Sequence, residues 1–428
     1  MQYDLIHPRE QLVELMSRIY RYGMTTTSGG NMSIRDNKGD IWITPAGVDK
    51  GSLTWDDIVR VKANGEIKGR YKPSSEFPFH KAIYETRNDI NGVVHAHPSA
   101  LVSFSIVRKK PPTRIIPQAR KICGRVGYAA YALPGSEKLG QNIALAFKEG
   151  FDSILMENHG VVCGGKSVLD AFHRFETLDF CARIAIKAKM LGGYNELNDE
   201  QLVLLDHTKN YLVEFEPHNR TNQEKALRRH IIKIVRRAYD QQLMISTEGV
   251  ISVRLQDDSF LITPVSKDRR LIDIYDVVLI QNRHRERGKL PSRAVLLHDR
   301  IYRDHPNIQA IISAQSPNAA AFSISNQKFE TRSIPESYLL LRDIPQIPFG
   351  PQYLNEKEIS TKLSLDKNPV ILLNNDAILT VGASLLEAYD RLEVAEFSAC
   401  SLIDATVLGG MVTINKEQKR DLEEFFLN

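Results

Sequence analysis

Four side chains in this sequence are of types, and at spacings, that can do chemistry together. His95 and His97 stand two residues apart at the end of the apolar run GVVHAH, which predicts a strand. Alternate residues of a strand share a face, so both imidazoles point the same way and can grip one ion. His159, in ENHG, closes a second predicted strand, DSILME, and offers a third nitrogen. Three imidazoles with an open fourth position form the donor set of a catalytic metal site, so a divalent metal is the expected cofactor. Zinc heads the candidates, and cobalt, manganese and iron also suit three imidazoles. Glu76, in KPSSEF, opens a predicted helix over 76–87. A carboxyl in a first helical turn complements the helix dipole by default; beside a metal it becomes a proton shuttle.

Taken alone, H-x-H is more often a polar strand end than a metal site. The chain supplies its own test, because it contains its first half twice. IWITPAGVDKGSLTWDDIVRV aligns with FLITPVSKDRRLIDIYDVVLI, placing Thr44 on Thr263, Asp49 on Asp268 and Asp57 on Asp276. The segment from KPSSEF to SFSI aligns without a gap with the one from LPSRAV to AFSI, and SILMENHG aligns with VILLNNDA. At the four chemical positions the second half carries Ala294, Ser313, Gln315 and Asp376. Losing Glu76, His95, His97 and His159 together, while the scaffold persists, is how one functional unit behaves. His80 fails that test, since His298 keeps it, and it reads as structural.

The elements that must position these residues follow the same grammar in each half. Leu12, Leu15, Met16 and Ile19 make one apolar helix face, with Pro8 in the first turn and Gly23 as the stop; Leu227, Ile231, Val235 and Tyr239 repeat the stripe. Short strands, NMSIRD and DIWITP, come next, then the 76–87 helix, GVVHAH, a helix near 136–149, DSILME and a long helix from 167 to 190. Such alternation makes α/β domains with a sheet flanked by helices. Domains over 1–216 and 222–428 are expected, joined near the polar stretch EPHNRTNQE. Pro73, Ser74 and Ser75 read as a helix start with a serine cap, and such an end binds phosphate. The turns TTTSGGNMS, with Asn31, and ITPAG, with Thr44 and Gly47, add further anion contacts.

Composition excludes several other classes. In 428 residues, 42% are hydrophobic and 25% charged, which is ordinary for a globular protein. Lys plus Arg is 56 against 52 acids, a net +4 without a clustered basic face, so nucleic acid is not an expected partner. The run from Arg283 to Lys289 reads as a solvated loop. Cys123, Cys163, Cys181 and Cys400 lie far apart, with neither zinc-finger nor disulfide-framework spacing. No apolar run approaches the ~18 residues of a membrane span, and the N-terminus has no signal-peptide pattern. A reduced, cytoplasmic protein without membrane contact is the expectation.

In order, the motifs SGGN, TPAG, PSSE, HAH and NHG resemble those of the class II aldolase/adducin family. The pattern is most like the fuculose-phosphate-aldolase type of sugar-phosphate aldolase, with ribulose-phosphate 4-epimerases as near relatives. The resemblance spans most of 8–195 and, weakened, 225–410. It implies two homologous class II aldolase-like α/β domains, each a mixed or antiparallel sheet flanked by helices, the second a degenerate copy. It assigns zinc to His95, His97 and His159, acid/base catalysis to Glu76, and phosphate contacts to Gly30, Asn31, Gly47, Ser74 and Ser75. The implied reaction cleaves a phosphorylated sugar, a ketose 1-phosphate, into a dihydroxyacetone-phosphate-like fragment and an aldehyde, with the Glu76 pKa raised toward neutrality. Two departures stand out. Ala46 replaces the family's hydroxyl-bearing threonine, and no tyrosine stands in Ile116–Lys121, where the aldolases carry a catalytic one; Tyr128 and Tyr131 lie beyond. Family members commonly form fourfold rings, so a homo-oligomer in which two tandem chains supply four domains is expected. Epimerase, decarboxylase, dehydratase and non-catalytic adducin-like readings remain as alternatives.

Overall fold

A computed structural model of the chain describes residues 3–204, 212–217, 220–256 and 258–426. Within the expected linker, His218 and Asn219 lie outside the described residues. The chain divides into two compact units, residues 1–113 with 118–183, and residues 114–117 with 184–428.

The first unit is built on eight strands: β1 (Asn31–Arg35), β2 (Ile41–Ile43), β3 (Val59–Val61), β4 (Ile67–Lys68), β5 (Gly92–Ala96), β6 (Val126–Ala129), β7 (Ser153–Met156) and β8 (Gly160–Gly165). They pair in the order β4-β3-β2-β1-β5-β8-β7-β6. All neighbours are antiparallel except β6 and β7, so the sheet is mixed, as expected. Its helices are α1 (Pro8–Arg21), α2 (Phe77–Thr86), α3 (Ser99–Ile106), α4 (Pro117–Cys123), α5 (Glu137–Lys148) and α6 (Val168–Met190). Leu12, Leu15, Met16 and Ile19 of α1 are buried, as the stripe predicts, and Pro8 is its first residue. Phe79 and Ile83 of α2 pack with Ile143 and Phe147 of α5 over Val93, Ile154 and Val162, the apolar layer that anchors the site-bearing strands. Glycine is required where β5 meets the start of α6, because a Cβ on Gly92 would stand 2.2 Å from the Val168 nitrogen.

The second unit repeats this plan. Its strands are β9 (Glu214–Phe215), β10 (Val250–Arg254), β11 (Ser259–Ile262), β12 (Val278–Gln281), β13 (His284–Glu286), β14 (Ala310–Ala314), β15 (Gln346–Ile347), β16 (Val370–Leu373) and β17 (Ile378–Gly382). The order is β15-β16-β17-β14-β10-β11-β12-β13-β9, the order of the first sheet with β9 added at one edge. The basic run Arg283–Lys289, where a solvated loop was expected, therefore contains β13, paired with β12 on one side and β9 on the other. Arg285 pairs with Glu214, Arg287 with Glu216, and Lys289 with Glu286, so its charges are neutralised by neighbours.

One buried set recurs at the same distances. Ser33 Oγ lies 2.7 Å from His80 Nδ1 and 2.8 Å from the Tyr84 hydroxyl. Ser252 Oγ lies 2.7 Å from His298 Nδ1 and 2.8 Å from the Tyr302 hydroxyl. The histidine fastens β1 to α2 and β10 to the helix Val295–Asp304, which is the structural role its retention predicts. Burial pushes the His298 pKa down to about 3 from 6.5. Because the folded value is the lower one, the unfolded chain takes up the proton first as pH falls through 6.5. Stability is then lost at about 1.4 kcal/mol per pH unit until the folded group titrates. Between pH 6.5 and 4.5, His298→Gln is expected to remove about 2 kcal/mol of pH dependence. Urea unfolding of both proteins at the two pH values checks this, and parallel pH profiles would refute it.

Candidate metal centre and the loops around it

The centre forms where β5 and β8 end side by side. His95 faces it from β5 and His97 from the residue after Ala96, while His159 immediately precedes β8. The period-two argument holds: the candidate ligand atoms of His95, His97 and His159 all lie within 4.8 Å of one another. His95 Nδ1 lies 2.9 Å from the Val161 carbonyl, which only accepts, so Nδ1 carries the proton and Nε2 faces the centre. Such a backbone bond behind a ligand is how metal-binding histidines are held in orientation. His97 Nε2 sits 3.0 Å from His95 Nε2. Gly160 fits the turn because a Cβ there would press on the His97 ring at 2.7 Å and on the Ala96 carbonyl at 2.6 Å.

Glu76 joins this group. Its Oε2 is 3.1 Å from His95 Nε2 and its Oε1 is 3.4 Å from His159 Nε2. The expected serine cap is displaced: Glu76 itself is the N-cap residue of α2, and its side chain caps nothing. Ser74 Oγ accepts the Glu76 N–H at 3.3 Å instead. The carboxylate is thereby free to turn into the centre, where Asn31 Nδ2 donates to Oε2 at 2.8 Å. Oε1 is buried and accepts no hydrogen bond. Burial alone would raise this carboxyl, but the charge of His95, its hydrogen bond and that of Asn31 outweigh burial and hold it well below the usual range. That reverses the expected upward shift, because the sequence gives no measure of how close the imidazoles stand. Burial lowers His97 to about 3 and His159 to about 4, with the His95 charge adding to both, whereas Glu76 overcomes burial and raises His95. The three imidazoles converge beside a buried carboxylate oxygen, and once His95 gives up its proton their nitrogens suit a borderline divalent ion.

The three glycine- and serine-bearing turns come together beside this cluster. Pro45 and Pro73 form an isolated antiparallel bridge, Ala46 N donates to Lys72 O at 3.1 Å, and Ser74 N to Thr44 O at 3.2 Å. Lys50 N donates to Thr27 O at 2.8 Å and ties in the third turn. Gly30 is buried at φ 73°, with the His95 carbonyl 2.9 Å from where a Cβ would be, and Gly47 is exposed at φ 66°. Ser74 is buried and Ser75 exposed. The side chain of Asn31 is engaged at both ends, by Glu76 and by His80 Nε2 at 2.5 Å, so the structure sets it beside the carboxylate.

Sequence reasoning passed over Lys50. Its ammonium is buried, donates to the Pro45 carbonyl at 2.5 Å, and is pushed down by burial to about 8. The repeat carried a signal, since Lys50 aligns with Arg269, which bonds Gly249 O and Pro264 O. A cation clasps these turns in both halves. In the second half Arg293 pairs with Glu248 at 3.1 Å, and Asp376, at the place of His159, accepts from Gln352 and Tyr353. Burial raises Asp376 to about 6. Tyr131 stands exposed, and burial raises the Tyr128 hydroxyl.

The family model described as the Class II Aldolase and Adducin N-terminal domain matches residues 10–186 and again 229–402, and the chain belongs to that family. The two regions make it a tandem member. It is 36% identical over 180 residues to the L-fuculose phosphate aldolase of Methanocaldococcus jannaschii, over 42% of this chain and 95% of the relative. It is 29% identical over 180 residues to the 3-oxo-tetronate 4-phosphate decarboxylase of Haemophilus influenzae, over 41% of this chain and 85% of that protein. Among solved structures it is similar to an L-fuculose 1-phosphate aldolase at 31% identity, over 48% of this chain and 95% of that one, with a TM-score of 0.42.

Proposed function

We propose that the chain is a divalent-metal-dependent aldehyde-lyase that cleaves a ketose 1-phosphate to a dihydroxyacetone-phosphate-like fragment and an aldehyde in carbohydrate catabolism. The observation that carries the reading is the Glu76 carboxylate, buried within 3.4 Å of two of three converging imidazoles. His95, His97 and His159 would hold the ion, with zinc the first choice for three imidazoles. When bound, such an ion supplies a Lewis acid for the oxygens of the substrate carbonyl and of the enediolate that bond cleavage leaves. The turns at Gly30–Asn31 and Gly47, with Ser74 and Ser75, hold the phosphate, so that remote binding energy aligns the bond to be broken. As that bond opens, a hydroxyl proton leaves the future aldehyde and a proton enters the carbon of the other fragment. Glu76, held as a carboxylate, is the group in reach to carry it.

The limits we propose for the live and degenerate domains are 1–216 and 222–428. A cytoplasmic setting agrees with four free cysteines and with the lack, among the described residues, of a helix long and apolar enough to cross a membrane. A dimer of tandem chains would supply four domains; a monomeric mass in solution would remove that part.

The test is to supply the metal-loaded full chain with a panel of ketose 1-phosphates and to follow the aldehyde and triose phosphate by coupled reduction. Matched release of both is the expected result. A decarboxylase reading has its own support in the similarity to a 3-oxo-tetronate phosphate decarboxylase. Release of carbon dioxide from a 3-oxo acid phosphate, without aldehyde from any ketose, would replace the lyase reading with that one.

A further inference from the structure

We propose that Lys50 is the positive charge of the phosphate pocket and sets its selectivity for a phosphate dianion, acting from behind the turns that contact it. This rests on the reading of the three turns as the phosphate site. Gly30, Asn31, Gly47, Ser74 and Ser75 offer backbone groups and neutral side chains, and none of them carries a charge. A phosphate ester brings nearly two negative charges at neutral pH, which neutral donors alone leave uncompensated once water is displaced. Lys50 is the cation that the fold places there. It is buried, its backbone nitrogen donates to Thr27 O in the Gly30 turn, and its ammonium donates to Pro45 O, two residues before Gly47. An ammonium has three protons to donate, and among the described residues this one finds a single acceptor and no carboxylate. Asp49 beside it spends its oxygens on Gly51 N and Ser52 Oγ. Burial brings the ammonium only to about 8, so it is still charged at neutral pH. A buried charge without a counter-ion is destabilising, and a ligand that supplies the anion relieves it. Thr25 Oγ1 is also buried without a partner and lies 3.1 Å from where a Gly30 Cβ would stand, so the same turn holds another unspent donor. Lys72, whose carbonyl joins these turns, is exposed, and water screens its charge.

The second half shows the same clasp with the anion built in. Arg269 stands in the place of Lys50 and Glu248 in that of Gly29, next to the matched glycines Gly30 and Gly249. Arg269 lies in the field of the Glu248 and Asp268 carboxylates, which oppose the effect of burial on it. Glu248 also meets Arg293, at the place of Ser75, at 3.1 Å. A carboxylate of the protein therefore faces the two residues that replace Lys50 and Ser75. The first half has glycine at that point, where even a Cβ would press on Thr25 Oγ1 at 2.9 Å. Its cation is left for an anion from outside.

The experiment compares Lys50→Arg, Lys50→Gln and Lys50→Met with wild type in the full chain. Arg keeps both the charge and a donor for Pro45 O, Gln keeps a donor without the charge, and Met keeps neither. Calorimetry gives the affinity for inorganic phosphate with and without metal, steady-state kinetics gives KM and kcat on the ketose 1-phosphate, and urea unfolding reports the clasp. Phosphate affinity is expected to follow the charge. Lys50→Arg should stay within about fivefold of wild type, while Lys50→Gln and Lys50→Met bind about ten- to a hundredfold more weakly. KM should rise in step, with kcat within about threefold of wild type. Stability should follow the donor instead, so that Lys50→Gln unfolds near wild type and Lys50→Met earlier. Affinity that follows the donor, normal in Lys50→Gln and lost only in Lys50→Met, would make Lys50 a clasp alone and overturn the proposal. Equal affinity in all four proteins would do the same. If none of them cleaves a ketose phosphate while phosphate binding still follows the charge, the lyase reading fails and the role of Lys50 stands. A wild type that binds no phosphate, with or without metal, removes the pocket and this inference with it.

Discussion

Glu76→Gln lowers kcat by about 10²- to 10⁴-fold while the protein keeps its metal and its fold, the range over which a positioned acid/base group contributes. The substitution is nearly isosteric, and the amide oxygen still accepts from Asn31 Nδ2, which now stands 2.8 Å from Oε2. What disappears is the capacity to take and return a proton. The charge also leaves, so His95, which the carboxylate raises against the effect of burial, loses its support. Neutral imidazoles are the form that binds metal, so metal content is expected to be unchanged or higher. KM is expected to move little, because the near-isosteric amide leaves the neighbouring phosphate contacts at Ser74 and Ser75 in place. Steady-state kinetics with elemental analysis of the same sample reads all three quantities, and wild-type turnover in a fully loaded Gln variant would strike Glu76 from the mechanism.

The second large effect concerns the ion. Wild type is expected to bind one divalent ion per chain, and His97→Ala to bind none at this centre and to lose turnover. His97 contributes one of three nitrogens gathered within 4.8 Å, and two imidazoles alone do not make a tight site. One ion per chain, rather than two, follows from Ser313, Gln315 and Asp376 standing in the second half where the first has its three histidines. Elemental analysis after incubation with zinc gives the stoichiometry. Two ions in wild type, or one retained by the Ala variant with its activity, would show that the metal lies elsewhere. Chelator treatment should mimic the substitution and be reversed by added metal, a recovery that the Ala variant cannot show.

The sequence carried the face but not the distance. A spacing of two put His95 and His97 on one side of β5, and the internal repeat singled out His159 and Glu76 by their joint absence from the second half. The retention of His80 as His298 identified its structural task, now seen as the bond to Ser33 and Ser252. Periodicity is silent on contacts between distant segments, and the ones that matter here are of that kind. Asn31 and Glu76 lie 45 positions apart, so nothing local betrays their bond or the downward pull on the carboxyl. The cap of α2 was misread because Ser74 and Glu76 both suit an N-terminus, and only the turn geometry decides between them. Lys50 escaped because a lone lysine reads as solvated; its burial comes from two turns that close over it. The basic run Arg283–Lys289 was misjudged for the complementary reason, two of its acidic partners, Glu214 and Glu216, lying some 70 residues upstream on and just after a strand of two residues.

The clasp common to both halves has a consequence for how this chain can change. Pro45 bridges Pro73 and Pro264 bridges Pro291, and each pair of turns is locked by a buried cation, whether or not a carboxylate and three imidazoles stand beside it. The backbone that shapes the pocket is therefore paid for by the clasp and owes nothing to the occupants. One copy can trade its chemical side chains without unmaking the turns, and what separates the copy with the carboxylate and three imidazoles from the copy without them is a handful of codons on an already finished frame.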